Sequence, residues 1–291
     1  MEAWQVMRLR KHHLVLLLMI LISGFIWSQM VIYALHELFG FNPRWGIAQY
    51  CVAVLSGKLF WHQAVLIGLS VIIAYSFGTI LRVLCSQIAN QRKWNRHVGD
   101  NQHARLTAQM NRKYRNRGYE VAVIRHESIV ALTSGFRRPR IILSTALISE
   151  CTDREIDAVV MHECSHCRQY DPMRMLVIKI MTDSLPFIPL LKRLSHYIHV
   201  WVELEADQYS IKRMRSQVDL ASVLLRCSNA SKNSPNRTVG IGFADEAINY
   251  RLLQLIEPKR KIRVPLFDFI PLWISLAAIF ALTGMIISGC T

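Results

Sequence analysis

His162-Glu163-Cys164-Ser165-His166 sets two imidazoles four residues apart, and on a helix such a pair projects from one face and can grip a single metal ion. Glu163 sits about 100° round the same helix, near enough to serve a water at that ion without displacing a ligand. Downstream, Glu203-Leu204-Glu205-Ala206-Asp207 adds carboxylates. Glu203 can supply a third, anionic ligand and leave a fourth position for water, with Glu205 as its competitor. Asp207, one turn on from Glu203, can take the outer ring N–H of a liganding histidine and fix its tautomer. This donor set suits one zinc ion per chain and predicts metal-assisted peptide hydrolysis. Glu163 then accepts a proton from the attacking water and passes it to the leaving nitrogen. A solvated acidic face balanced by Lys212 and Arg213 is the alternative reading of the second segment. A purely structural zinc has no use for a base beside an open position, so the intact Glu163 favours an enzyme over a zinc-stabilised receptor or scaffold.

The elements that must position these groups are helices. Thr152 or Asp153 can cap the first, Glu155 sits in its first turn, Ile156, Val159 and Val160 form an apolar stripe, and Pro172 ends or kinks it. Residues 201–214 contain no Pro or Gly and read as the second helix. An oxyanion helper stays open among His196, His199, Tyr209 and Arg168. Glu120–Arg125, Ile129–Thr133 and Arg140–Ser144 have the β-branched character of strands, whose free edge could hold an extended substrate. The seven cysteines form no disulfide framework. Cys164 and Cys167 mimic a CxxC motif, but helix geometry turns both away from the histidine face.

These residues resemble a known family. HExxH followed by Glu-x-x-x-Asp is the gluzincin arrangement, and His166-Cys167-Arg168-Gln169-Tyr170-Asp171 is similar to a segment of the BlaR/MecR family of membrane zinc metallopeptidases. So are the Gly135–Leu143 segment upstream and Tyr250-Arg251-Leu252-Leu253-Gln254-Leu255 downstream. The HtpX and CAAX-prenyl-protease group shares the zinc motifs, but Asp171 and the Gly-to-Leu segment favour BlaR/MecR. The resemblance implies His162, His166 and Glu203 as zinc ligands, Glu163 as base and Asp207 as the outer partner. It further implies signalling by cleavage of a cytoplasmic repressor or of the chain itself. Receptors of that family carry a penicillin-binding sensor domain after their last span. Here the expectation is sensing through a short outer loop, a membrane sensor partner or the bilayer.

Composition places the chemistry at a lipid bilayer. Hydrophobic residues make up 52% of the chain and concentrate in uncharged runs at residues 14–36, 59–81 and 269–291. Each approaches or exceeds the roughly 20 residues a helix needs to cross. Residues 47–55 are apolar but too short to span. Between Ser86 and Tyr119 lie eight Lys or Arg against the single acid Asp100, and the N-terminal flank is basic too. The positive-inside rule then puts both in the cytoplasm. Lys259, Arg260, Lys261 and Arg263 before the last run agree with that topology.

The expected architecture is a mainly α integral membrane protein with a small β-sheet. Residues 1–90 form a transmembrane hairpin, 91–264 a cytoplasmic gluzincin-type metalloprotease domain entered through a basic connector, and 265–291 a final span. The localisation this implies is a bacterial-type inner membrane. The net charge of +15 also admits phosphate contacts from Arg92, Lys93 or Arg96, but no nucleic-acid-binding motif accompanies them, and lipid headgroups explain the same residues. Residues 173–191 are apolar but interrupted by Pro186 and Pro189, and either lie against the membrane or form a broken hairpin.

Overall fold

The computed structural model describes residues 2–39, 59–232, 242–257, 260, 262, 264–266 and 268–289. The short apolar run at 47–55, the Ser- and Asn-rich residues 233–241, and Lys259, Lys261 and Arg263 lie outside them. In chain order the elements are α1 (Glu2–Phe39), α2 (Leu59–Asp100), α3 (Ala104–Lys113), β1 (Val121–Ile124), β2 (Ala131–Ser134), β3 (Arg140–Ser144), α4 (Thr145–Glu150) and α5 (Asp153–Gln169). Then follow α6 (Asp171–Ser184), α7 (Pro189–Met214), α8 (Val218–Lys232), α9 (Gly242–Ile256) and α10 (Phe269–Gly289). The chain is therefore mainly helical with one small sheet. It divides into two compact units, Met1–Ser86 with Ile178–Ser195 and Pro265–Thr291, and Gln87–Val177 with His196–Val264.

The first unit carries the apolar helices. Among the described residues three stretches, His12–Phe39, Ile67–Asp100 and Phe269–Ile287, are long and apolar enough to cross a membrane. Hydroxyls satisfy polar groups among them. Thr283 donates to Gln29 Oε1 at 3.1 Å, joining α10 to α1. Residues 173–191 form no continuous helix: α6 ends at Ser184 and α7 restarts at Pro189, where the ring's missing N–H costs nothing. Two of the backbone groups that the break leaves without an intrahelical partner find hydroxyls. Ser76 donates to the Ser184 carbonyl at 2.9 Å, and the Leu190 amide donates to Ser275 Oγ at 3.0 Å.

The second unit is built on a three-stranded sheet of order β1-β3-β2, with β1 parallel and β2 antiparallel to β3. Ile141, Ile142 and Leu143 of the central strand are fully buried because both faces of the sheet are covered. On one face Val121, Val123, Ile141 and Leu143 pack with Val160, Cys164 and Cys167 of α5. On the other, Ala122, Ile124 and Ile142 pack with Val98, against which Trp94 and Leu132 also rest. The basic segment expected as a connector is thus the end of α2. Trp94 and Val98, four residues apart, lie on the sheet while Arg92, Lys93 and Arg96 stay exposed, and that charged face hid the apolar one. The turn from β2 to β3 needs glycine at 135: its φ is +109°, and a Cβ there would stand 2.6 Å from the Arg138 carbonyl oxygen.

Candidate metal centre

Thr152, rather than Asp153, caps α5. Its hydroxyl accepts the Glu155 amide at 3.3 Å while Glu155 Oε2 accepts the Thr152 amide at 2.8 Å, a reciprocal capping box. Glu155 Oε1 also takes Arg226 Nη2 at 3.1 Å and the Ser222 hydroxyl, which fastens the helix start to α8. Burial against the sheet pushes the thiols of Cys164 and Cys167 upward, to about 11 and about 12, and neither joins a cluster of potential ligands among the described residues. The opposite face of α5 carries His162 and His166. At its end Tyr170 adopts a left-handed conformation (φ 53°), and α6 starts at once with Asp171.

That reversal brings Asp171 back onto the histidine five residues before it, with Oδ2 2.8 Å from His166 Nδ1. Arg174 Nη1 holds the other Asp171 oxygen at 2.9 Å. His162 has an equivalent partner in Asp207, whose Oδ1 lies 2.8 Å from its Nδ1, an ion-pair contact whose angle falls outside hydrogen-bond geometry. With both Nδ1 atoms turned to carboxylates, the two Nε2 atoms face each other at 3.1 Å. Glu203, on α7, completes the group: Oε2 is 3.5 Å from His162 Nε2 and Oε1 is 3.7 Å from His166 Nε2.

His162, His166 and Glu203 are the one set of three or more potential ligands brought together among the described residues. Their fit to zinc can be tested on this geometry. A tetrahedral ion with arms of about 2.0–2.1 Å has ligand–ligand edges of roughly 3.3 Å, close to the three separations observed. Both imidazoles set Nδ1 against a carboxylate and turn Nε2 inward, the orientation that metal-bound histidines take. The local field also favours a cation. Burial and Arg251 oppose a proton on His162, but Asp207 and Glu203 outweigh them and lift its pKa to about 9. Burial would raise Glu203, yet His162 and Arg251 hold it well below the usual carboxylate range. Nitrogen and carboxylate donors with an anionic surround suit a divalent ion of zinc's type.

Glu163 stays outside the ligand set. It is 6% exposed, and its Oε2 accepts a hydrogen bond from Thr133 on β2 at 2.8 Å. Glu205, the competitor for the third ligand, does not join the cluster, and burial pushes its carboxyl upward. His196 and His199 do not join it either. Tyr209 packs against the sheet-side core instead, because six residues from Glu203 is about 240° round the helix, and Arg168 is exposed.

Three groups about the centre were not assigned roles from sequence alone: Asp171, Thr133 and Arg251. Arg251 on α9 binds Asp207 through two parallel contacts, Nε to Oδ2 and Nη2 to Oδ1, both 2.8 Å, and Glu203 Oε2 through Nη1 at 3.0 Å. Its guanidinium ties Glu203 to Asp207, the carboxylate beside His162. Asp171→Asn should keep the fold, being isosteric, but leave His166 poorly oriented. We expect metal affinity to fall by about 10- to 100-fold, measured by titration against a chromogenic chelator. Unchanged affinity would mean that Asp171 does not orient His166.

No curated protein matches the chain. A family model, described as BlaR1 peptidase M56, matches residues 52–255, which include all of β1–β3, α5, Glu203, Asp207 and Arg251. The match spans more than two thirds of the sequence, and the centre built from these residues is of the kind a metallopeptidase requires. The chain belongs to the BlaR1 peptidase M56 family.

Proposed function

We propose that this chain is an integral-membrane zinc endopeptidase in which His162, His166 and Glu203 hold the ion, Asp207 orients His162, and Glu163 is the general base. One observation carries the reading: two imidazoles from one helix and a carboxylate from another converge, and Glu163 is the residue that follows His162 in the chain. Zinc, when bound, supplies Lewis acidity that makes water a nucleophile near neutrality and polarises a carbonyl. The chain's own residues do the rest. Glu163 takes a proton from the attacking water on its carboxylate and returns it to the leaving amide nitrogen. The Asp207 and Asp171 carboxylates beside the two Nδ1 atoms favour a proton there, which leaves the lone pair of each Nε2 free for the ion.

The substrate reading follows from the sheet. Among the described residues β2 pairs with β3 alone, and Val130 pairs directly with Ser144 through the Ser144 amide at 2.9 Å. Alternation along an antiparallel ladder then turns the N–H and C=O of Ala131 and Thr133 outward, where an extended peptide can add as a further strand. Arg92, Lys93 and Arg96, exposed beyond the apolar part of α2, support a cytoplasmic active unit. On that side the substrate is a cytoplasmic or membrane protein, such as a transcriptional repressor, or the chain itself, and the role is signalling in a bacterial-type inner membrane.

The test uses the full chain in detergent and in vesicles. Zinc-loaded protein should cleave itself or repressor-type proteins internally, stop on chelation and recover with zinc. A thiol-reactive probe confined to the vesicle exterior should report which side the basic end of α2 occupies through a cysteine placed at Arg96. Cleavage that persists after complete metal removal would end the zinc-enzyme reading.

A further inference from the structure

Thr133 occupies a position that the zinc motifs do not specify. It lies on the edge strand β2, its main chain is turned to the open edge, and its side chain points to the face covered by α5. Its hydroxyl lies 2.8 Å from Glu163 Oε2, 3.1 Å from the Glu163 carbonyl oxygen and 3.6 Å from Cys167 Sγ. A hydroxyl has one proton to give, and among these acceptors the carboxylate is the strongest. Among the described residues Thr133 is the one hydrogen-bond donor to that carboxylate. Glu163 has three rotatable side-chain bonds, so without this contact its head is free to take other rotamers.

We infer that Thr133 is a positioning residue for Glu163: its hydroxyl pins Oε2 and leaves Oε1 as the atom that exchanges the proton. The inference rests on the reading of Glu163 as general base. It adds that the strand segment on which a substrate backbone would lie is the one that fixes the base, so peptide and base share a single reference frame. Catalysis is sensitive to such placement, since reacting groups must meet within a few tenths of an ångström of the productive geometry.

Two variants separate hydroxyl from shape. Thr133→Val keeps the β-branched outline that suits the strand and removes the donor, whereas Thr133→Ser keeps the donor and loses a methyl. In full-length, zinc-loaded protein we expect Thr133→Val to lower kcat by about 10- to 100-fold, with KM and zinc per chain unchanged. Thr133→Ser should restore kcat toward wild type. High-resolution structures of the zinc-loaded proteins supply a readout independent of turnover: the Glu163 carboxylate should be displaced in Thr133→Val and retained in Thr133→Ser. Wild-type kcat in Thr133→Val, equal impairment in both variants, loss of zinc from Thr133→Val, or an unmoved carboxylate would each overturn the inference. If the wild type itself cleaves nothing, the catalytic reading fails while the carboxylate position still decides the role of Thr133.

Discussion

Glu163→Ala should lose proteolysis by about 10²- to 10⁴-fold while retaining a full complement of zinc. The separation follows from geometry. Glu163 touches Thr133 and lies outside the cluster of His162, His166 and Glu203, so its removal subtracts a proton acceptor and leaves the ligand atoms in place. Alanine is also the best helix former, and α5 is held by its capping box and its packed thiols, so the helix survives. His162→Ala should behave differently, losing metal and activity together. Elemental analysis of purified variants alongside a cleavage assay distinguishes these patterns, and equal cleavage by wild type and Glu163→Ala would remove the base from the mechanism.

Arg251→Met should destabilise the metal-free protein by about 3–5 kcal/mol, because it takes the guanidinium from the buried Asp207 and from Glu203 and leaves the His162 ring as the positive group facing both. Asp207 is 1% exposed and takes two guanidinium contacts, while Glu203 takes a third. Burial alone would raise the Asp207 carboxyl, and Arg251 is the largest influence holding it below its ordinary range. Zinc supplies positive charge to the same cluster. The loss should accordingly be larger in chelator-treated protein than in zinc-loaded protein, as thermal unfolding in detergent with and without zinc would reveal. Arg251→Lys should recover little of it, since an ammonium cannot reproduce the parallel pair of bonds to Asp207. A variant as stable as wild type in the absence of metal would show that the carboxylates find other partners.

Much of the centre was legible in the sequence because it is local. His162 and His166 lie four apart on one helix, Glu203 and Asp207 four apart on another, and this periodicity fixes which side chains share a face. The strands were legible from runs of β-branched residues, with β3 found at Arg140–Ser144 as read and the other two shifted by a residue or two at their ends. What stayed hidden depends on backbone choices and long-range contacts. Asp171 reaches back to His166 because Tyr170 turns left-handed, a conformation that a tyrosine does not announce. Thr133 and Glu163 are 30 residues apart, and Arg251 and Asp207 are 44 apart, so no periodicity links them. Arg251 left one trace, its place in a segment resembling the BlaR/MecR family. The second helix starts at Pro189 rather than near Trp201, because its early part mixes Lys192, Arg193 and Ser195 with leucines and reads poorly as either span or surface helix.

X-ray absorption at the zinc edge of the purified chain asks whether two imidazoles and one carboxylate hold the ion. We expect one zinc per chain with a nitrogen and oxygen shell at about 2.0–2.2 Å, altered by Glu203→Ala and unaltered by Glu163→Ala. A sulfur shell at about 2.3 Å, which would implicate Cys164 and Cys167, or a spectrum indifferent to Glu203→Ala, would contradict it.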